Sequence, residues 1–234
     1  MRRRLRVPLP AVALLAVLLA VLVACGTPGA SGESEASPAG TGGSEPPAPA
    51  PPEPVGFAVV GDSITAGTTA PVEGTRADGA GSWIPAAAVP PLAFRGGWAV
   101  PGATTADMRA EVGPVDAEVL VVMGGTNDLQ LGIPWEQSRA DLVSAVGTAG
   151  VGAVVLSGIP PLDRAPQAAL DHNGALRQLA GEQGWTFVDP WTESRTPQGT
   201  WVPGASGDGV HPTQQVADLV GGRLRAAVLD RADG

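Results

Sequence analysis

The 234-residue sequence contains no Lys, no Tyr, only one Cys and only two His. Without Lys, serine hydrolase chemistry of the Ser-x-x-Lys type is excluded. A single Cys excludes an intramolecular disulfide and a Cys-based zinc cluster, and two His without paired spacing argue against a His-built metal site, so we expect no metal and no cofactor. All 14 basic residues are Arg and are outnumbered by 23 acidic residues. This balance leaves no broad basic surface, and nucleic-acid binding is therefore disfavoured.

The first 24 residues have the pattern of an export signal. Four Arg near the N-terminus precede an uncharged apolar run from Ala11 to Ala24. The run ends in Leu22-Val23-Ala24-Cys25, which resembles the bacterial lipobox and implies a signal peptide over residues 1–24, with Cys25 acylated, for example by palmitate, after cleavage. An uncleaved signal anchor is the alternative, because the apolar run is almost long enough to span a bilayer. Both interpretations place the protein outside the cell, tethered to the outer face of the membrane.

Residues 25–54 are predicted to be a disordered linker. From residue 26 onward they consist only of Pro, Gly, Ala, Ser, Thr and Glu, so no aromatic or branched aliphatic side chain is present to offset the entropy lost on ordering. The remaining residues, 55–234, are numerous enough for one α/β domain, which we expect to be a monomer.

Within residues 55–234, short apolar runs alternate with stretches of helical periodicity. Continuous apolar runs without polar alternation are typical of parallel strands covered on both faces. They are Phe57–Val60, a run around Trp98–Val100, Val119–Met123, Ala153–Ser157 and Thr186–Val188. Helices are predicted from Pro134 to about Thr148, from Pro166 to about Gly184, and from about Thr213 to Leu229. The alternation predicts a three-layer α/β/α domain of the flavodoxin-like type, with a mostly parallel five-stranded sheet and ligands at the carboxyl ends of the strands.

Polar clusters stand at three ends of these elements. The first strand leads into Gly61-Asp62-Ser63-Ile64-Thr65, the third leads into Gly124-Gly125-Thr126-Asn127-Asp128, and Asp208-Gly209-Val210-His211-Pro212 precedes the last helix. Together they resemble the conserved blocks of the SGNH hydrolases, also called the GDSL esterase/lipase superfamily. The resemblance implies a catalytic triad and an oxyanion hole. The implied triad is Ser63, His211 and Asp208. The implied oxyanion donors are Ser63, Asn127 and Gly102, the last in Pro101-Gly102-Ala103-Thr104-Thr105, which matches a further block of the family.

Elementary chemistry gives each of these residue types a role. A Ser hydroxyl becomes a useful nucleophile when an imidazole takes its proton, and a carboxylate holds that imidazole in the correct tautomer. The oxygen of an attacked acyl group gains negative charge, which fixed N–H donors stabilise. The sequence lacks the Gly-x-Ser-x-Gly elbow of α/β-hydrolases and the phosphate loops of nucleotide-binding proteins.

Other polar residues are expected to have structural roles. His172 lies inside the helix that starts at Pro166, where a solvated or capping role is expected. Asp62 and Asp128 are expected to bind nearby backbone groups, and Thr65 and Asn173 to be polar groups of the scaffold. The segment from about Thr68 to Phe94 has no assignable regular structure. It either lines the substrate cleft or forms a surface loop with Trp83 packed onto the domain.

These features predict a serine esterase that forms an acyl-enzyme and acts on a small-molecule or glycan ester. No hydrophobic lid insertion is visible, and six Trp without Tyr suggest stacking surfaces even though most Trp are expected in the core. Short acyl esters, including acetyl groups on envelope glycans, are therefore favoured over long-chain lipids. Two alternatives remain, an O-acyltransferase with a glycan acceptor and a non-catalytic envelope-binding lipoprotein.

Overall fold

The computed structural model describes residues 53–234. The predicted signal peptide, the lipidation site at Cys25 and the linker as far as residue 52 lie outside the described residues. Within residues 53–234, no helix combines the length and the apolar character needed to cross a membrane.

Five parallel strands form one sheet. They are β1 (Val55–Gly61), β2 (Leu92–Ala99), β3 (Val119–Met123), β4 (Ala153–Ser157) and β5 (Thr186–Val188). Their order across the sheet is β2-β1-β3-β4-β5, and every neighbouring pair is parallel. This is the flavodoxin-like order, in which the chain reverses its direction of travel between β1 and β3. The predicted fold class is confirmed.

Seven helices connect or flank these strands in the described part of the chain. They are α1 (Ser63–Ala66), α2 (Ile84–Ala87), α3 (Thr105–Glu111), α4 (Thr126–Leu131), α5 (Trp135–Ala149), α6 (Pro166–Gln183) and α7 (Gln214–Ala232). The three long helices were predicted to within about three residues at each end. Gly184 ends α6 with a φ of 69°, a left-handed conformation that glycine adopts without steric cost.

Two apolar clusters, one on each face of the sheet, form the core. Alternate residues of the central strands point to opposite faces, so Val59 and Val121 join one cluster while Val60 and Val122 join the other. The first cluster is completed by α2 and α7, and the second by α3, α5 and α6. Burial on both faces explains why these strands are continuous apolar runs.

Strand β2 differs from its prediction. It begins at Leu92, and its interior contains Arg95-Gly96-Gly97, which is not an apolar run. Gly97 has a φ of 129° and lies so close to the backbone of Val59 that a side chain there would collide with it. The register shifts at this point, so β2 is an irregular edge strand with no simple sequence pattern.

The segment from Thr68 to Phe94 also acquires a definite structure. It contains α2 and the first residues of β2, and the Trp83 side chain is almost fully buried, stacked on Phe57 with ring centroids 6.3 Å apart. Trp83 thus packs onto the domain, which agrees with one of the two expectations for this segment.

Candidate active site

Three loops meet at the carboxyl edge of the sheet. The first follows β1 and begins at Asp62, the second follows β3, and the third is the loop of residues 206–213 that precedes α7. In a sheet of this order, the carboxyl ends of β1 and β3 are adjacent at the point where the chain reverses its path. The topology therefore places the three polar clusters at one site.

Ser63, His211 and Asp208 form a continuous hydrogen-bonded chain. Ser63 Oγ lies 2.9 Å from His211 Nε2, and His211 Nδ1 lies 2.7 Å from Asp208 Oδ2. The serine is the first residue of α1 and is 8% exposed, whereas the side chains of His211 and Asp208 are 29% and 57% exposed. The candidate nucleophile is therefore almost fully buried, whereas the side chains of His211 and Asp208 are more accessible to solvent.

The loop around Asp208 fixes the carboxylate. Its Oδ1 accepts hydrogen bonds from the backbone N–H groups of Val210 and His211, at 2.9 and 2.8 Å, while Oδ2 faces the imidazole. Partial burial alone would raise the pKa of Asp208. The hydrogen bonds from the side chain and backbone of His211 and from Val210, together with the charge of the imidazolium, outweigh burial and hold the pKa well below its usual range. The carboxylate therefore stays ionised beside the imidazole.

Three N–H donors surround the space next to Ser63. Within the described chain, the backbone N–H groups of Ser63 and Gly102 donate to no other residue. Asn127 uses one hydrogen of its amide to reach the carbonyl of Ala103 at 2.8 Å, which leaves the other hydrogen free. Gly102 has a φ of 84°, and open space surrounds the position that a Cβ would occupy. These residues line one cleft of about 340 Å³ with Ser63 and His211, which we call the catalytic cleft; Thr68 and Pro101 complete it.

A second cleft of about 370 Å³ shares Ser63, Thr68 and His211 with the catalytic cleft and is also lined by Asp208. Its wall includes Ala80 and Gly81 from the segment between α1 and α2, so part of this segment lines the cleft, as the other expectation proposed. Gln214 Oε1 accepts a hydrogen bond from Gly81 N at 2.9 Å and Gln214 Nε2 donates to Ser82 O at 3.2 Å. The sequence does not identify Gln214 as a residue of this cleft, because its place there depends on contacts with Gly81 and Ser82, which are 133 and 132 positions away in the chain.

Asp128 connects the segments that carry the candidate oxyanion donors. The carboxylate is fully buried, and it accepts hydrogen bonds from the backbone N–H of Thr105 at 3.0 Å, from the Thr105 hydroxyl, and from the Ser138 hydroxyl at 2.8 Å. It thereby joins the starts of α3 and α5 to α4, which carries Asn127. The expected structural role of Asp128 is confirmed by these contacts.

Asp62 precedes the serine and is also fully buried. Its Oδ1 accepts a hydrogen bond from Ile64 N at 2.9 Å, as expected for a backbone-binding residue, but Oδ2 has no partner among the described residues. Burial raises the pKa of Asp62 from 3.8 to about 7, against the opposing hydrogen bond from Ile64 and the charge of His211.

His172 and Asn173 are adjacent buried residues of α6. The expectation that His172 is solvated or caps a helix is wrong: it is 9% exposed, packs edge-on against Trp135 with ring centroids 5.2 Å apart, and abuts Gly125. Burial lowers its pKa, although the charge of Asp128 opposes this shift. Asn173 is a scaffold residue, as expected, because its amide bonds to both N and O of Ile159.

Comparison with known proteins connects this geometry to a family. Residues 59–219 match the GDSL-like lipase/acylhydrolase family. No curated protein sequence matches the chain. Among solved structures, a GDSL-like lipase from Bacteroides thetaiotaomicron is similar at 18% identity, covering 75% of this chain and 88% of its own, with a TM-score of 0.56.

An acetyl xylan esterase from Geobacillus stearothermophilus is similar at 20% identity, covering 75% of this chain and 95% of its own, with a TM-score of 0.58. Two further structures of that esterase are catalytic mutants in which a histidine or a serine is replaced by alanine. At these identities, the structural likeness shows a shared fold.

Proposed function

Because this chain belongs to the GDSL-like lipase/acylhydrolase family and is therefore a carboxylic ester hydrolase, we propose that it removes short acyl groups, above all acetyl groups, from glycan esters through Ser63, His211 and Asp208. One observation carries the proposal. The three side chains form an uninterrupted hydrogen-bonded chain whose serine end lines a cleft with the candidate oxyanion donors. Family membership removes the alternative of a non-catalytic binding protein.

In the first half of the reaction, Ser63 Oγ attacks the acyl carbon while His211 Nε2 takes its proton. Asp208 Oδ2 accepts a hydrogen bond from Nδ1, which keeps the other ring nitrogen available as a base and stabilises the imidazolium that forms. The carbonyl oxygen becomes negatively charged as the carbon becomes tetrahedral. The N–H groups of Ser63, Gly102 and Asn127 then donate to it.

The first half ends when His211 returns its proton to the departing alcohol and the acyl group remains on Ser63. In the second half, a water molecule that gives a proton to the same nitrogen attacks the acyl-enzyme. His211 then passes this proton to Ser63 Oγ as the bond from Oγ to the acyl carbon breaks, and the carboxylic acid is released. The side chains of His211 and Asp208 are 29% and 57% exposed, so water reaches the imidazole without a bound acceptor, and on this ground we propose hydrolysis over acyl transfer.

The substrate proposal depends on the shape of the site. The two clefts that reach Ser63, of about 340 and 370 Å³, are each near the lower end of the range for small-molecule sites, roughly 300–1,000 Å³, and both are open to solvent. Such a cleft suits a short acyl group on a bulky alcohol that remains outside. The likeness in fold to an acetyl xylan esterase agrees with this choice of substrate class.

Hydrolysis of 4-nitrophenyl esters of increasing acyl length tests the reaction. We expect the highest kcat/KM for acetate and a decline as the acyl chain lengthens, and we expect Ser63→Ala to abolish turnover of every ester. Faster hydrolysis of long-chain esters would contradict the short-acyl assignment, and turnover that persists in Ser63→Ala would remove Ser63 as the nucleophile.

We also propose that the protein is exported and attached to the outer face of the membrane through a lipid on Cys25. The support comes from the sequence alone, namely the Arg-rich start, the apolar run and the Leu-Val-Ala-Cys ending. Metabolic labelling with palmitate tests this proposal. Cys25→Ser should lose the label and the membrane attachment, and a label that persists in this variant would overturn the lipidation site.

A further inference from the structure

A groove continues from the catalytic cleft along the edge strand β2. The catalytic cleft shares Pro101 and Gly102 with a neighbouring cleft of about 260 Å³. That cleft shares Trp98 and Glu111 with another of about 390 Å³, which extends past Arg95. We call these two outer clefts together the Trp98 groove. Because adjacent clefts share wall residues, we infer that they form one continuous groove, which a linear molecule with one end at Ser63 can follow.

The length of the groove suits a polymer. The stretch of β2 and its following loop from Arg95 to Val100 lines the groove, and strand geometry gives this stretch a span of roughly 16 Å. A single acetylated sugar occupies only the end nearest Ser63. The remainder of the groove is accessible only to a substrate that continues for several sugar rings.

Trp98 supplies an aromatic surface at the centre of the groove. The side chain is half-buried and packs against the core cluster that α3 and α5 complete, and it also lines both outer clefts. The core contact restricts the ring, so little side-chain freedom is lost when a ligand binds. An immobilised indole with accessible area offers an apolar surface to the C–H face of a sugar ring.

Carboxylates from α3 supply hydrogen-bond acceptors beside this ring. Asp107 and Glu111 are exposed and line the same cleft as Trp98. Asp107 Oδ2 accepts hydrogen bonds from both N and Oγ1 of Thr104, which lower the pKa of Asp107 and keep it ionised, and its Oδ1 makes no such contact. An ionised carboxylate only accepts hydrogen bonds, and sugar hydroxyls are donors.

The charge of the groove selects against anionic polymers. Asp107, Glu111 and Asp116 line it, and Arg95 is the one basic residue in its wall. A uronic acid or phosphate polymer would bring like charges together, whereas a neutral glycan brings only hydroxyl donors and C–H surfaces. The aromatic area of Trp98, the acceptor atoms of Asp107 and Glu111, and the negative charge of the groove all favour a neutral glycan.

We propose that the Trp98 groove binds the chain of a neutral oligosaccharide whose acyl group is presented to Ser63, with Trp98 as the stacking platform. This inference rests on the proposed glycan esterase function and adds to it the site that recognises the glycan. Trp98 determines specificity and takes no part in the chemical step.

Kinetics on two kinds of ester test the groove. With 4-nitrophenyl acetate, Trp98→Ala should retain kcat/KM within about twofold, because this substrate does not reach the groove. With acetylated xylo-oligosaccharides from the monosaccharide to the hexasaccharide, kcat/KM of the unmodified protein should rise with length. Trp98→Ala should remove this rise, a loss of roughly tenfold on the longest substrate through KM, and Trp98→Phe should restore part of it.

Trp185→Ala is the matched control. Trp185 is another half-buried Trp packed against the same core cluster, but it precedes β5 at the opposite edge of the sheet and lines neither the catalytic cleft nor the Trp98 groove. Its replacement should leave the length dependence unchanged. The proposal is overturned if Trp98→Ala keeps the length dependence, if it loses activity equally on 4-nitrophenyl acetate, or if Trp185→Ala has the same effect.

A binding measurement separates failure of the groove from failure of the proposed function. Ser63→Ala should bind unesterified xylohexaose in a calorimetric titration, and the double variant Ser63→Ala/Trp98→Ala should not. If this difference is found while the unmodified protein cleaves no glycan ester, the groove stands and the proposed substrate is wrong. If Ser63→Ala does not bind the hexasaccharide, the groove proposal is wrong whatever the activity.

Discussion

At the scale of a single residue, Asn127 links two segments of the candidate site. One hydrogen of its amide ties the loop after β3 to the carbonyl of Ala103, and the other is free to reach an oxyanion. The chain contains one other Asn, Asn173, whose amide is occupied by the backbone of Ile159. The two residues have the same chemistry, yet only Asn127 lines the catalytic cleft.

This difference predicts opposite phenotypes for the two alanine variants. Asn127→Ala should lower kcat by about 10²–10³, or roughly 3–4 kcal/mol of transition-state stabilisation, with little change in KM. Asn173→Ala should lower the melting temperature and leave kcat of the folded fraction unchanged. Melting curves and kcat normalised by active-site titration on the same preparations measure both effects. An unchanged kcat in Asn127→Ala would remove Asn127 from the oxyanion site.

The two His residues make a second pair at this scale. His211 must be neutral at Nε2 to accept the Ser63 proton, so kcat/KM should rise with pH to a plateau. His211→Ala should lower kcat by at least about 10³-fold and abolish the rise. His172 is buried with a lowered pKa and touches neither Ser63 nor Asp208, so His172→Ala should cost stability and keep the shape of the profile.

Initial rates from pH 5 to 9, measured at matched folded fractions, distinguish the two His variants. A pH profile that disappears in His172→Ala and survives in His211→Ala would exchange the roles assigned to them.

At the scale of elements, the buried Asp128 carboxylate joins three helices around the oxyanion donors. Because it accepts hydrogen bonds from both the backbone and the hydroxyl of Thr105, it fixes the start of α3, which follows the Gly102 loop. Arg109 also connects α3 with α5, through a 2.7 Å ion pair to Asp141, but it lies away from the catalytic cleft. Asp128 therefore aligns both the helices and the candidate site, whereas Arg109 aligns the helices alone.

Asp128→Ala should therefore affect both stability and catalysis. Leaving buried donors of Thr105 and Ser138 unpaired should lower the unfolding free energy by about 3 kcal/mol, and displacement of the oxyanion donors should lower kcat by about 10²-fold. Arg109→Ala, the control, should also lower the unfolding free energy, by about 1–3 kcal/mol, because it leaves the buried Asp141 carboxylate without its partner, but it should spare kcat. Urea unfolding and titrated kcat measure both. A normal kcat in folded Asp128→Ala would contradict the positioning role.

The elements also show what could be predicted from sequence. Strands β3 and β4 were predicted to the residue because burial on both faces leaves a continuous apolar run. Helices α1 and α2 have four residues each, too few to show a period, and β2 is irregular at the sheet edge. Ser63, Asp208 and His211 were predicted from their resemblance to a family. The place of His172 and the network of Asp128 were not, because each depends on contacts between segments far apart in sequence.

At the scale of the whole molecule, Asp62 makes stability depend on pH. Its pKa is raised by burial from 3.8 to about 7, so between these pH values the folded protein keeps a proton that the unfolded chain releases. The folded state then binds more protons, and the contribution of Asp62 to stability falls as pH rises from about 4 to 7. The lowered pKa of Asp208 acts in the opposite direction at acidic pH.

Asp62→Asn should remove the contribution of Asp62 while keeping the acceptor for Ile64. Relative to the unmodified protein, the unfolding free energy of the variant should increase between pH 4 and pH 8 by up to about 4 kcal/mol. Urea unfolding at several pH values gives the difference directly, because the other titrating groups are common to both proteins. Parallel curves across this range would show that Asp62 is ionised in the folded state.

The two atoms of the proposed proton transfer belong to residues 148 positions apart in the chain. A ribosome delivers Ser63 148 residues before His211, so under the proposed mechanism the serine has no base while the segment between them is synthesised. The base arrives together with α7, whose packing completes one face of the core. Under that mechanism, a polypeptide that stops before residue 211 is an inactive product, and ester turnover reports only chains that extend past His211.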